Sequence, residues 1–175
     1  MRRWLATAAL VVVAAGAAYW FLLRDTTVEA PVLVPRATAT IGSGADAIAV
    51  SPNGRILAWL PLPEGLQLPA LPLSAPPENG GLAGPVLQQA KVLGVAPATL
   101  RPYIESSYYG ESGIDVELRS GIELRFGDAS QAAAKWKAAA AVLADPTITS
   151  LDYVNLHDPR RPAVGGSGHT LPPLE

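Results

Sequence analysis

The sequence predicts a single N-terminal membrane-spanning helix followed by an α+β domain whose two helices cover one face of a mainly antiparallel sheet. Three observations carry that prediction. Residues 4–23 form a run of 20 without a charge. At a helical rise of about 1.5 Å per residue the run reaches roughly 30 Å, the thickness of a bilayer's hydrocarbon core. Residues 114–126 alternate: Ile114, Val116, Leu118, Ile122, Leu124 and Phe126 are apolar, while Asp115, Glu117, Arg119, Glu123 and Arg125 are charged. Two stretches of helical character, 84–94 and 128–144, lie on either side of that alternation.

Arg2 and Arg3 precede the apolar run, and Arg24 and Asp25 nearly cancel after it. The positive-inside tendency then puts residues 1–3 in the cytoplasm and everything after Leu23 outside, in the plasma membrane of a single-pass protein. Trp4, Tyr19 and Trp20 suit the interfacial preference of aromatic rings. The competing reading is a cleaved signal peptide with Ala15-Gly16-Ala17 as its processing site. Cleavage there would leave Tyr19-Trp20-Phe21-Leu22-Leu23 near a new N-terminus, and the apolar stretch runs past the site without a polar break. An uncleaved anchor is therefore the preferred expectation; either way the rest of the chain is exported.

Composition narrows the functions available. The chain has 175 residues, 49% hydrophobic and 16% charged, with a net charge of −2 and no Lys/Arg cluster beyond the extreme N-terminus. Nucleic acid is a poor partner for such a surface, because affinity for it rests on many basic contacts to phosphate. The absence of cysteine removes disulfides, thiolate nucleophiles and Cys-ligated metals. Two histidines, His157 and His169, leave little material for a zinc site or a His-based triad.

Residues 24–45 read as a tether that allows a strand near 37–41. Short apolar runs at 47–50 and 55–59 flank Ser51-Pro52-Asn53-Gly54, where the Asn-Gly pair offers the positive-φ residues of a hairpin turn. Residues 61–77 are proline-rich, extended and ill suited to a central strand. Val86, Leu87, Ala90 and Leu93 form one stripe of a short helix with Pro85 in its first turn and Gly94 at its end. Residues 104–109 read as a strand.

The even-numbered apolar set of 114–126 decides its own hairpin register. A loop of Ser120-Gly121 alone would oppose Leu118 and Glu123. A three-residue loop, Arg119-Ser120-Gly121, pairs Leu118 with Ile122, Val116 with Leu124 and Ile114 with Phe126, with Gly121 left-handed. The outer face then sets Asp115 against Arg125 and Glu117 against Glu123, a solvated face. Asp128 is expected to cap the next helix with Gln131 as its capping-box companion. Trp136, Ala140 and Leu143 share its inner face, flanked by Lys135 and Lys137, and Asp145-Pro146 ends it. Residues 151–157 are the last strand and 159–175 a Pro/Gly-rich tail, which gives the order hairpin, helix, three strands, helix, strand. The domain is expected at 46–158.

No catalytic constellation, cofactor site, metal site or small-molecule substrate site emerges. Ser167 and His169 sit in the expected tail, where a nucleophile and its base cannot hold their geometry. Gly165-Gly166-Ser167-Gly168 has neither the helix start nor the lysine of a phosphate loop. Trp136 at helical spacing reads as core. One feature points to a partner: with no strand after it, 151–157 would leave a sheet edge open to strand addition, unless the tail with Pro159 and Pro162 blunts it.

Taken in order, Gly-Ile-Asp-Val-Glu-Leu at 113–118, Gly-Ile-Glu-Leu-Arg-Phe-Gly-Asp at 121–128, Lys135-Trp136, Val142-Leu143 and residues 151–164 resemble the FtsQ/DivIB cell-division proteins. Upstream, Ile48 to Arg55 resembles that family's hairpin and Leu68-Pro69-Ala70-Leu71-Pro72 its "LP.L" segment. The likeness covers roughly residues 37–166. It departs in two places. About 20 residues separate the anchor from the β domain, too few for the family's POTRA domain, and Asn155 and His157 stand where an acidic and a basic residue are usual. The resemblance implies a non-enzymatic scaffold at the division septum that binds FtsB- and FtsL-type membrane proteins, the former by strand addition. Carried over, the docking positions are His157, Asp158, Arg160, Arg161, Ala163, Val164 and Gly165. The alternative is an exported, membrane-anchored adaptor of another cell-envelope system.

Overall fold

A computed structural model describes residues 36–42, 44–63 and 66–172. The expected anchor at 4–23 lies outside them. No helix among the described residues is long and apolar enough to cross a membrane.

The first three strands are β1 (Ala39–Ile41), β2 (Ile48–Val50) and β3 (Ile56–Leu57), an antiparallel sheet in that order. β1 falls in the stretch read as tether, because Ala39 and Ile41 bury against the core and Thr38 N–H donates to Val50 O at 2.8 Å. The turn into β3 differs from the Asn-Gly expectation. Only Gly54 has positive φ (77°); Gly54 N–H closes on Ser51 O at 2.9 Å, while Arg55 N–H donates to Ser51 Oγ at 3.0 Å. Pro52 favours this three-residue loop because its fixed φ suits the first central position of an ordinary turn.

Helix α1 (Gly84–Gly94) has Pro85 in its first turn as expected and buries Gln89, Ala90, Val92 and Leu93. A second sheet follows: β4 (Ile104–Gly110), β5 (Gly113–Leu118), β6 (Glu123–Gly127), then helix α2 (Ala132–Leu143), β7 (Ser150–Asn155) and β8 (Ala163–Thr170), in the order β4-β5-β6-β7-β8. All neighbours are antiparallel except β6 and β7, which are parallel because α2 carries the chain back across the sheet. The architecture is α+β.

The β5–β6 hairpin has the expected loop and register at its centre: Val116 faces Leu124, Leu118 N–H donates to Ile122 O at 2.9 Å, and Gly121 takes φ 87°. A bulge after Ile114 pairs that residue with Gly127 instead of Phe126. All six even-numbered apolar residues are fully buried. At about 1.5–3 kcal/mol each, their burial outweighs the Glu117–Glu123 opposition, which at worst costs about 1 kcal/mol. Ser106 Oγ also donates to Glu117 at 3.2 Å. Trp136 is core, as expected: its Nε1 donates to Val92 O at 2.8 Å, and its ring lies 4.9 Å from that of Phe126. That bond ties α2 to α1 over the same face of the sheet.

The proline-rich stretch does more than the sequence suggested. Ala70 bridges Thr40 of β1 and Ser106 of β4. Thr40 N–H donates to Pro69 O at 3.0 Å and Leu71 N–H to Thr40 O at 2.9 Å; on the other side Ala70 N–H donates to Glu105 O at 3.1 Å and Ser107 N–H to Ala70 O at 3.2 Å. Two residues between prolines thus stitch the two sheets together: Ala70 turns its own N–H and carbonyl to β4, while the Pro69 carbonyl and the Leu71 N–H face Thr40 of β1.

The start of α2 also departs from expectation. Gln131 occupies the cap with φ 51° and no capping side chain, and Asp128 is not the cap. Asp128 instead accepts from Ser130 N–H at 3.0 Å, Ser130 Oγ at 2.6 Å and Lys135 Nζ at 2.7 Å. Lys135 does not flank the helix but is buried, its Nζ also donating to Phe126 O at 2.8 Å and Asp128 O at 3.1 Å. Filling all three ammonium donors is what permits a lysine inside.

Candidate partner-binding edge

The stretch read as a tail contains β8. Strand 150–155 is therefore internal, and β8 is the terminal strand of the sheet. Among the described residues no strand pairs with its far side. Glycine-rich sequence has little intrinsic preference for a strand, so pairing with β7 must order it. The register shifts at Asp152: Leu151 faces His169 and Tyr153 faces Gly165, leaving Gly166-Ser167-Gly168 to bulge opposite Asp152. The Asp152 carboxylate holds that bulge, accepting from Gly168 N–H at 2.7 Å, with His169 Nδ1 3.4 Å away. A Cβ on Gly166 would lie 1.9 Å from Asp152 Oδ2, and φ there is 80°. The glycines admit the carboxylate; they are not slack. No hydrogen bond joins Ser167 to His169 among the described residues.

The residues named from the resemblance fall into two groups. Ala163, Val164 and Gly165 begin β8, facing Asn155, Val154 and Tyr153 of β7, with Val164 46% exposed. His157, Asp158, Arg160 and Arg161 form the exposed turn that leads into it. Asp158 shapes the turn: Arg160 N–H donates to its Oδ1 at 2.9 Å and Arg161 N–H to its backbone oxygen at 3.1 Å. Neither guanidinium has an ion-pair partner among the described residues. Two positive charges thus stand free at the entry to an open strand.

The sequence reading missed Asp152 and Tyr153, the residues that support the edge. The signal was a run of glycines placed to oppose two bulky side chains, which is informative only once the strands are known to pair. Tyr153 carries Arg125 on its ring at 4.0 Å, and Arg125 Nε donates to Glu123 Oε1 at 2.8 Å. Arg125 stands opposite Asp115 as the register predicted, but its ion pair runs along its own strand to Glu123.

Asp115 is a further correction: it is buried, not solvated, and its Oδ1 has no hydrogen-bond partner. Burial, reinforced by Glu123 and only partly opposed by Arg125 and His157, pushes its carboxyl up to about 6. A raised carboxylate value favours the protonated folded state. The destabilisation is therefore complete above about pH 6 and fades as pH falls toward the unfolded value near 4. Asp115→Asn is expected to stabilise the domain at pH 7 by roughly 1–3 kcal/mol and to lose that advantage by pH 4. Urea unfolding at the two pH values checks this; an equal effect at both would remove the charge from the explanation.

No protein-family model matches this chain, and no curated protein sequence matches it.

Proposed function

We propose that this protein is a non-enzymatic, single-pass scaffold of the bacterial cell-division machinery, acting at the septum with its N-terminus in the cytoplasm. Its folded domain binds FtsB- and FtsL-type membrane proteins, the former as a strand added to β8. The observation that carries this reading is that, among the described residues, the far side of β8 pairs with no strand and the neighbouring Arg160 and Arg161 have no ion-pair partner. The ordered sequence likeness to FtsQ/DivIB proteins names the system. Strand addition draws affinity from main-chain hydrogen bonds, and the two arginines select an acidic partner segment.

Two experiments test it. The full-length chain carrying Val164→Pro, co-purified from membranes with an FtsB-type partner, is expected to bind at least tenfold more weakly, or about 1.4 kcal/mol. Its circular dichroism should stay that of the parent, since proline is tolerated on edge strands. Unchanged binding would sink the strand-addition reading. A fluorescent protein on the N-terminus should form a band at the division site; uniform membrane fluorescence from an intact fusion would instead favour an adaptor of another envelope system.

A further inference from the structure

Among the described residues, none covers the large apolar side chains Trp59 and Leu66 between β3 and Ala70. Residues 58–68 contain one charged residue, Glu64, among Trp59, Leu60, Leu62, Leu66 and Leu68. Trp59 is 67% exposed and Leu66 49%. The segment bounds an open cleft of about 1040 Å³, together with Thr40, Ala70, Glu105 and Arg119. Large apolar side chains grouped in water mark a contact surface.

Its chemistry and its distance from the anchor choose the occupant. Pro61 and Pro63 lack the N–H groups that an added strand would need. Only 12 residues, 24–35, join the apolar run 4–23 to Arg36. Fully extended they span about 40 Å, and as a flexible chain roughly 20 Å. A domain of this size has a radius of gyration of about 14 Å, so the tether keeps its surface within reach of lipid. Tryptophan favours the membrane–water boundary, where its ring is apolar and its N–H stays hydrated.

We propose that residues 58–63 and 66–68 dip into the outer interfacial layer of the membrane, with Trp59 and Leu66 among the lipids. This rests on the anchored reading above. Six neighbouring strand positions, from Ala70 through β4 to β8, separate the loop's side of the sheet from the free edge. At about 4.8 Å per step that is roughly 24 Å. Attachment at the loop as well as the anchor would restrain the domain's orientation and hold β8 away from the headgroups, where a partner's strand can reach it.

Because the chain has no cysteine, Leu66→Cys and Ser112→Cys each accept a single environment-sensitive fluorophore. Ser112 lies in the exposed turn at the far end of β4 from Glu105. The full chain is reconstituted in phosphatidylcholine–phosphatidylglycerol vesicles with and without doxyl-labelled lipid, and floated on a density gradient. The expected result is flotation, a blue-shifted label at 66 that loses most of its emission to doxyl lipid, and a solvent-like label at 112. Trp59→Ser should weaken the blue shift at 66. A floating protein whose 66 label remains solvent-like overturns the inference alone. A blue shift that grows with protein concentration but resists doxyl quenching assigns the surface to a second copy and also overturns it. Failure to float overturns the anchored reading, and this inference with it.

Discussion

Gly113→Ala is expected to cost at least about 4 kcal/mol, from backbone strain and overpacking together. Gly113 has φ 112°, and a Cβ there would lie 1.8 Å from Gly127 O, 2.6 Å from Gly127 C and 2.8 Å from Gly127 Cα. Every obstructing atom is backbone, so no side chain can turn aside. Relief would require β5 and β6 to separate at the bulge where Ile114 meets Gly127, and that strand pair carries the apolar centre of the core. Domains of this size are stable by only 5–15 kcal/mol, approximately, so the variant would be partly unfolded or close to it. Gly80→Ala is the control. Its φ is 72°, but nothing lies within 4 Å of the added carbon, which leaves strain of about 1 kcal/mol. Urea unfolding followed by near-ultraviolet circular dichroism compares the two. Equal losses would mean that the hairpin is not closed at Gly113 as described.

Lys135→Met should be the next most damaging, at about 2–4 kcal/mol. Exchanging a buried ion pair for apolar groups is often harmless when both partners leave. Here the acceptors include Phe126 O and Asp128 O. Those are backbone atoms that no substitution removes, and the buried Phe126 carbonyl would lose its charged donor and keep only the Asp128 N–H at 3.0 Å. The Asp128 carboxylate, 66% exposed, can turn to water, so its loss matters less. Its titration supplies a second readout. The Lys135 hydrogen bond, followed by that of Ser130, holds the Asp128 carboxyl down at about 2. A depressed carboxylate contributes stability that is present above about pH 4 and lost as pH falls toward 2. Unfolding measured between pH 5 and pH 2 should show a shallower acid loss in Lys135→Met than in the parent. Parallel curves would mean that Lys135 does not hold Asp128 down.

How far the sequence could be read depended on the range of the interactions involved. Alternation from Ile114 to Phe126 set both the inner face and the loop of the hairpin, because strand neighbours differ in face by one residue and a slip would expose the whole apolar set. Pro85 and Gly94 marked the ends of α1 for similarly local reasons. The start of α2 was misjudged because Asp128 has two local uses, a cap or a turn with Ser130, and a buried lysine seven residues on selected the second. Charge alone placed Asp115 in solvent, whereas the packing of neighbouring strands buried it.

The candidate edge shows the same division more sharply. Sequence alone identified a strand at 151–157 and strand addition at its edge, and the family resemblance added Arg160 and Arg161 as docking positions. It assigned the open edge to the wrong strand. Only Val164 and Thr170 within residues 163–170 favour extended structure: four of the eight residues are glycine or alanine, which have little strand preference of their own. Their order comes from β7, a few residues back along the chain and paired with β8 on both sides of the bulge, and from the carboxylate of Asp152 on Gly168 N–H. Apolar periodicity was legible because each residue carries its own burial energy. The position of β8, the Ala70 stitch and the burial of Lys135 were decided by groups supplied from elsewhere in the fold, and those became visible only when the chain had brought them together.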